Sequence, residues 1–446
     1  STRKESSAAS DVYKRQRQHH PSDASMSSKW TSPANEATCL YLVGAPSLCD
    51  RVFHPAFTYP IFGDAETIYG YERLHIQLSF ASGSLRPSLN IEYRAKNTLT
   101  TAKVDDVDEQ LREFLPEADL VSPDAFPQLV QADAASFQPP GTQITSYTQR
   151  SKGQTTDRTF CIFHSTWDTP GFRAWLKRAQ IFTLFFIEGA SYLEEEEKNW
   201  EFFTIFERTN APSTQQQSDQ HHATWHFVGY TALYRFWCWP GKTRWRLSQF
   251  LILPPYQGQR HGTHLYQTVY EHALSDPAIC ELTIEDPSEA FDKLRDTCDL
   301  TYLNQQNDVV HHIAAPIDRA WRSSARLRYK IAPRQWARLL DMLGLLHLDP
   351  DASPDQFRAF RLQVKARIYQ QNREVLDMLP HEQRVEKLHE TFEAVLDEYA
   401  DITGVEVPEA LLEMSPSPQP KRMPSSLNDD DHSEGSSVPR KTPRLV

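Results

Sequence analysis

The segment FLILPPYQGQRHGTHLYQTVY, residues 250–270, carries the most chemically specific arrangement in the chain. An apolar run ends at Pro254 and Pro255, a polar turn containing glycine follows, and the turn enters a helical pattern. Strand, glycine turn and helix N-terminus together make an anion cradle, because unpaired backbone N–H groups converge there and the helix dipole favours negative charge. Pro254 and Pro255 lack N–H groups and cannot complete a ladder, so this strand is expected to part from its neighbour and open a slot. The same pattern also suits an ordinary strand-to-helix connection, since a short glycine motif is a weak signal alone. The six cysteines, at 39, 49, 161, 238, 280 and 298, show no CxxC spacing and no histidine at finger spacing, so no structural zinc is expected. They read as reduced thiols of an intracellular protein.

The elements that must position this turn follow from periodicity. Residues 200–208, 225–237 and 243–255 are strand-like, 261–274 is helical, CELTIEDP at 280–287 is a strand, and SEAFDKLRDTCDL is an amphipathic helix. TPGFRAWLKRAQIFTLFFIEGAS at 169–191 opens on Thr169 and Pro170 and reads as one helix. The order predicts a mixed α/β sheet whose last crossover is parallel. TNAPSTQQQSDQHHAT between the first two strands reads as a surface loop. Upstream, 68–81 and 89–95 alternate as half-buried antiparallel strands, and 106–116 is a short helix stopped by Pro116. From 333 to about 403 the pattern is all helical.

Composition bounds the rest. The chain has 446 residues, 39% hydrophobic and 11% aromatic, enough for two or three domains with sizeable cores. Its 59 acidic residues against 47 basic ones give a net charge of -12, which disfavours direct DNA binding and suits a basic partner. No apolar run reaches the ~18–20 residues of a membrane span, and no signal-peptide core is present at the start of the sequence. Residues 1–36 and 406–446 are Ser-rich or Ser/Pro-rich and are expected to be disordered. The tail's basic clusters at 420–422 and 439–444 are compatible with nuclear import.

QGQRHGT resembles the acetyl-CoA signature of the GNAT superfamily, Gln/Arg-x-x-Gly-x-Gly/Ala. Its surroundings are more specific. YPIFGDAETIYGY, FFIEGASYLEEEEKNWEFF, VGYTALYRFW, TRWRLSQFLILPPYQGQRHG and IEDPSEAFDKLRD are, in this order, similar to the type B histone acetyltransferase family, from about residue 52 to 300 and more loosely to about 400. The resemblance implies a GNAT mixed sheet with splayed central strands over 158–335, an α+β histone-tail-binding domain over 37–157, and a small helical domain over 336–405. It implies acetyl-CoA as a substrate and no metal. The backbone of Phe250, Leu251 and Ile252 would hold the pantetheine arm, and the turn Gln257, Gly258, Gln259, Arg260, His261, Gly262 and Thr263 the pyrophosphate. Arg260 departs from the family's first signature glycine: it either crowds the pyrophosphate or turns outward and attracts the phosphates.

Acetyl transfer from a thioester to lysine needs a neutral amine, so a base must take a proton from the ammonium. A carboxylate in a partly dry site suits that task. The resemblance matches Glu285 to the family's general base and Asp286 and Glu188 to supporting acids. Read as residues alone, Glu285 also fits an N-cap-type acid, and Glu188 a helix-end residue paired with Arg or Lys. Ser288 either caps the next helix or bonds the cofactor. Asp64 and Glu66 match tail-contacting positions, and Ala65 stands where relatives carry an acid. Trp200 and Tyr234 match walls of a lysine channel, with Tyr234, Arg235 and Phe236 lining the tail groove along a strand edge, although plain core packing also explains an aromatic. Glu194–Glu197 either steers a basic tail or is a solvated face.

The sequence thus points to a lysine acetyltransferase acting on free core histone four tails, with a second core histone and a WD-repeat chaperone as partners, in nucleus and cytoplasm. A histone escort weakened at Arg260 is the alternative. A small-amine acetyltransferase is disfavoured by the large amino-terminal block.

Overall fold

A computed structural model describes residues 29–48, 51–98, 103–150, 157–210 and 223–412. Thr31–Pro33 pairs antiparallel with Thr67–Tyr69. The expected leader is therefore ordered at its end, because residues just before 37 complete a two-stranded ladder; residues 1–28 lie outside the described residues. β1 (Thr38–Val43), β2 (His75–Ala81) and β3 (Pro87–Glu92) form a small sheet, β1 parallel to β2 and β2 antiparallel to β3. β1 has no alternation to betray it, since both its faces are largely buried. α1 (Phe126–Ser136) leads toward the main sheet.

β4 (Thr142–Gln149) and β5 (Arg158–Thr166) precede α2 (Phe172–Ala179) and α3 (Ile181–Phe186). The single helix expected over 169–191 is two, meeting at Gln180, whose side chain bends inward to accept from the Leu193 N–H at 2.6 Å. β6 (Trp200–Asn210), β7 (Ala223–Cys238) and β8 (Lys242–Ile252) follow, then α4 (His261–Ser275) and β9 (Ile279–Ile284). The insert between β6 and β7 falls mostly on 211–222, outside the described residues. The six strands run β9-β8-β7-β6-β5-β4, antiparallel except for the parallel β8–β9 pair that the crossover through α4 requires. β4, upstream of the boundary expected at 157/158, is the outer strand of this same sheet.

α5 (Glu289–Asn304), α6 (Arg319–Arg328), α7 (Pro333–Leu346), α8 (Pro354–Gln371) and α9 (His381–Thr403) complete the chain. Arg338 on α7 bridges Asp296 of α5 at 2.8 Å and Glu398 of α9 at 2.6 Å, which fastens the helical block to the helix behind β9. Leu411, in a short helix at Glu409–Leu412, is fully buried, so the tail expected to be disordered from 406 is ordered to 412. One hydrophobic core runs from Ala34 to Leu411. The small sheet packs onto α2 and α3: Phe80 and Phe182 ring centroids are 4.6 Å apart, and the Phe185 carbonyl accepts from the N–H groups of Ala56 and Phe57.

Candidate active site

The sheet opens where two local events coincide. The β7–β8 register slips between Ala232↔Gln249 and Leu233↔Leu247, leaving Ser248 as the extra residue of a bulge that bends β8. On the other side β9 pairs up to Leu247↔Ile284 and then ends; its last rung is the Glu285 N–H to the Leu247 carbonyl, 2.9 Å. Asp286 then takes a left-handed φ of 33° and Pro287 has no N–H, so the chain turns away. Ser248 to Ile252 has no strand partner on that side. The opening therefore lies ahead of Pro254 and Pro255, which sit in a 3₁₀ turn beyond the end of β8: the proline explanation read from sequence is corrected.

Glu285 stands at the vertex. Its carboxylate meets the Arg246 guanidinium at 3.1 Å, with side chains 43% and 39% exposed. The partly dry setting expected from sequence is absent, because Glu285 lies past the last paired residue of β9 at the open rim. Arg246 lies over the Phe236 ring at 4.3 Å, Phe236 packs on Tyr234 at 4.6 Å, and Tyr234 meets Trp200 edge-on at 5.0 Å. Cross-strand register puts all of these on one face: Trp200↔Tyr234, Tyr234↔Arg246 and Arg246↔Thr283, two residues before Glu285.

Arg235 leaves this row. Alternation turns it to the opposite face, where it pairs with Glu201 at 2.7 Å and Asp276 at 2.9 Å. β7 is also an interior strand rather than the edge expected. Glu188 is exposed in the turn after α3, and among the described residues it has no Arg or Lys partner and no bond to Glu285 or Asp286. The apolar run before it packs inward while the chain reverses at Gly189, so neither burial nor an ion pair applies. Its loop is nevertheless fastened to the site: Gly189 N–H donates to the Tyr59 hydroxyl at 2.6 Å, and Gln249 Nε2 donates to the Ser191 carbonyl at 3.0 Å.

Glu66 is committed elsewhere. Its carboxylate accepts from the N–H groups of Thr58, 2.6 Å, and Tyr59, 3.2 Å, at the start of the helical turn Tyr59–Phe62. Asp64 and Ala65 stay exposed on that loop, beside Tyr59 and hence beside the Glu188 turn. Ser288 caps α5, its Oγ accepting from the Phe291 N–H at 3.3 Å.

The turn before α4 divides by direction. Gln257, Gly258 and Arg260 are exposed; Gln257 folds back to donate to the Ile252 carbonyl at 2.8 Å. Gln259 points inward and accepts from Arg158 Nη1 at 3.2 Å, while Gln149 Nε2 donates to its carbonyl at 2.6 Å. His261 is buried against Tyr147, whose hydroxyl lies 2.8 Å from its Nδ1. Burial, reinforced by the Arg158 and His264 charges, pushes the His261 imidazole down to about 4, so it is neutral. Thr263 lies beside the buried Cys298 thiol. Gly262 allows close packing: a Cβ there would sit 2.8 Å from Leu294 and 3.5 Å from Phe250. Arg260 occupies the N-cap at φ 64°, the left-handed conformation a glycine would take, and has no ion-pair partner among the described residues. The N–H groups of Arg260, His261, Gly262 and Thr263 start α4 with no carbonyl behind them in the helix.

Comparison with known proteins fits this geometry. Residues 30–188 match the family described as "Histone acetyl transferase HAT1 N-terminus", 179–291 match "Acetyltransferase (GNAT) family", and 296–349 match "Fungal HAT1, C-terminal". A histone acetyltransferase type B catalytic subunit of Mycosarcoma maydis is 45% identical over 459 residues, covering 94% of this chain and 100% of that one. The chain belongs to the type B histone acetyltransferase catalytic-subunit family. Proteins of the same name from Cryptococcus neoformans var. neoformans (41% identical; 84% of this chain, 98% of that one) and Kluyveromyces lactis (33%; 83% and 91%) agree. This type B acetyltransferase is an enzyme of the GNAT fold, and among the described residues no helix is long and apolar enough to cross a membrane.

GNAT acetyltransferases use acetyl-CoA, and the gap has the features such a molecule needs. Ser248 Oγ is buried without a hydrogen-bond partner at the mouth of the gap. Among the described residues the β8 backbone beyond it has no strand partner on the β9 side, with Gln257 covering the Ile252 carbonyl, and the α4 N-terminus offers N–H groups beside the exposed Arg260 guanidinium. Arg246 and Ser248 escape sequence reasoning. Both lie in TRWRLSQF, where alternation marks the face, but the bulge and the parallel register that bring them to Glu285 leave no mark in that alternation.

Proposed function

We propose that this enzyme transfers acetyl from acetyl-CoA to lysines in the amino-terminal tail of free, newly synthesised core histone four, by direct attack in a ternary complex. The observation that carries this reading is the continuous row Trp200–Tyr234–Phe236–Arg246–Glu285, which ends at the vertex of the gap. Trp200 and Tyr234 flank the alkyl stem of the incoming lysine, whose cationic head suits a π face. Glu285 takes a proton from the ammonium group so that the amine carries a lone pair. Its pairing with Arg246 holds the carboxylate at the vertex of the gap. An exposed pair of this kind is worth roughly 0–1 kcal/mol, so the carboxylate can leave it at little cost. Bound acetyl-CoA supplies the activated acetyl group. The β8 edge at Phe250, Leu251 and Ile252 holds the pantetheine arm, the α4 N-terminus and Arg260 hold the phosphates, and Ser248 donates from the gap mouth. Asp64 and the Glu188 turn, joined through Tyr59, form the acidic approach for a basic tail, while Asp286 and Glu188 support the base electrostatically.

Partners under this reading are the histone four tail with its core histone partner and a WD-repeat chaperone docking away from the gap, in nucleus and cytoplasm. A tail-binding escort with impaired cofactor binding draws on Arg260. The exposed guanidinium and the left-handed backbone that Arg260 adopts unaided support the enzyme instead. Steady-state assays on a histone four tail peptide with wild type, Glu285→Gln and Arg260→Gly test this. The enzyme reading expects kcat to collapse only in Glu285→Gln; an escort binds the peptide normally and shows no acetyl-CoA affinity until Arg260 is replaced.

A further inference from the structure

Behind the catalytic face, on the side of the sheet covered by α4, three potential metal ligands converge from three elements: His164 on β5, Glu201 on β6 and His272 on α4. One ligand atom from each lies within 4.8 Å of the others. The rings are held rather than free. His272 lies parallel to Trp245 (5.6 Å, 2°) and against His164 (5.3 Å, 26°), and Phe203 packs on both imidazoles at 4.9 and 5.4 Å. Glu201 is buried; its Oε2 lies 2.8 Å from His164 Nε2, and its Oε1 is held by Arg235 at 2.7 Å.

We propose that His164, Glu201 and His272 bind a divalent transition-metal ion, zinc by ligand class. Two imidazoles and one carboxylate are a donor set that zinc accepts, with water in a fourth position. Cysteine spacing excludes a zinc finger but says nothing of this triad, which contains no cysteine and is scattered over more than a hundred residues of sequence. Binding exchanges the His164–Glu201 hydrogen bond for two metal bonds, His164 ligating through Nε2 as the neutral imidazole with its ring proton on Nδ1. Arg235 stays on Oε1 and fixes the carboxylate's orientation, itself held by Asp276 at 2.9 Å. Glu201 and Asp276 against Arg235 leave one net negative charge to meet the ion. Occupancy would tie the far end of α4 to β5 and β6.

The test is Co²⁺ titration of the full chain followed by visible absorption, with Zn²⁺ as competitor. The proposal expects one Co²⁺ per chain with the intense ligand-field bands of a low-coordinate site, displaced by Zn²⁺. It also expects Zn²⁺ to raise the melting temperature of wild type. Because His272→Ala and His272→Asn both remove the ring stacked on Trp245, Glu201→Gln, which leaves that ring in place, serves as a further variant, with circular dichroism confirming the fold of each. Each should weaken Co²⁺ by more than the ~10–100-fold typical of changes around the ligands. Weak octahedral-type spectra, or Co²⁺ affinity unchanged in folded His272→Asn and Glu201→Gln, would overturn it.

Discussion

Two arginine–carboxylate pairs bracket the cofactor gap, and they differ in setting rather than in chemistry. Beneath the turn, Arg158 grips Glu207 through two bonds of 2.7 and 2.9 Å, and Glu207 also accepts from Ser47 at 2.6 Å and Tyr256 at 3.2 Å. Their side chains are 14% and 2% exposed. Burial alone would raise the Glu207 carboxyl, but the bonds from Arg158 and Ser47 and the Arg158 charge outweigh it and hold it below its ordinary value. At the vertex, Arg246 meets Glu285 through a single 3.1 Å contact near the surface. A buried carboxylate that accepts four hydrogen bonds is scaffolding; one held by a single exposed partner can accept a proton from something else.

The comparison can be broken in several ways, the largest first. Glu285→Gln should lower kcat by ~10²–10⁴-fold with little change in melting temperature, as steady-state kinetics and calorimetry will show. Glu207→Gln should do the reverse. It leaves Arg158 buried without its counter-charge and should cost ~3–5 kcal/mol in urea unfolding while sparing chemistry in whatever protein stays folded. If Glu285→Gln destabilises and Glu207→Gln abolishes kcat, the two roles are exchanged.

The buried side makes stability sensitive to acid. His226 and His261 are both pushed down to about 4, burial being the main cause. Their folded values lie below the ordinary 6.5, so the unfolded chain binds more protons between about 6.5 and 4. Stability should be full above about pH 6.5 and fall toward pH 4, by up to ~3 kcal/mol per histidine. Melting temperature against pH checks this, and His261→Gln should flatten the curve. The smallest effect is expected at the turn itself. Arg260→Gly removes the left-handed strain of a side chain and should stabilise by ~1 kcal/mol in the same assay, while shifting acetyl-CoA KM by less than about tenfold.

The parts legible in the sequence are those that local periodicity and motif spell out. β6 to β8, α4, the parallel crossover into β9, and the aromatic positions Trp200, Tyr234 and Phe236 all follow from alternation, turn chemistry and family resemblance. The parts that depend on register are not legible. Ser248 reaches the mouth of the gap only because β7 and β8 slip by one residue, and Arg246 reaches Glu285 only through a parallel pairing across α4. Arg235 follows Tyr234 in sequence, yet alternation puts the two on opposite faces of the sheet. Glu66 matches a tail-contacting position, yet its Oε1 accepts from the Thr58 and Tyr59 N–H groups at the start of a helical turn, a local role that sequence alone does not mark. β1 and β4 are hidden for opposite reasons: β1 is buried on both faces, and β4 is an exposed edge with little apolar signal.

The most direct test is the pH dependence of single-turnover acetylation of a histone four tail peptide from a preformed ternary complex, comparing wild type with Glu285→Gln. Glu285→Gln should be slower than wild type by ~10²–10⁴-fold, with its rate rising steadily toward alkaline pH as free amine accumulates. Superimposable profiles of similar rate would contradict the assignment of Glu285 as the base.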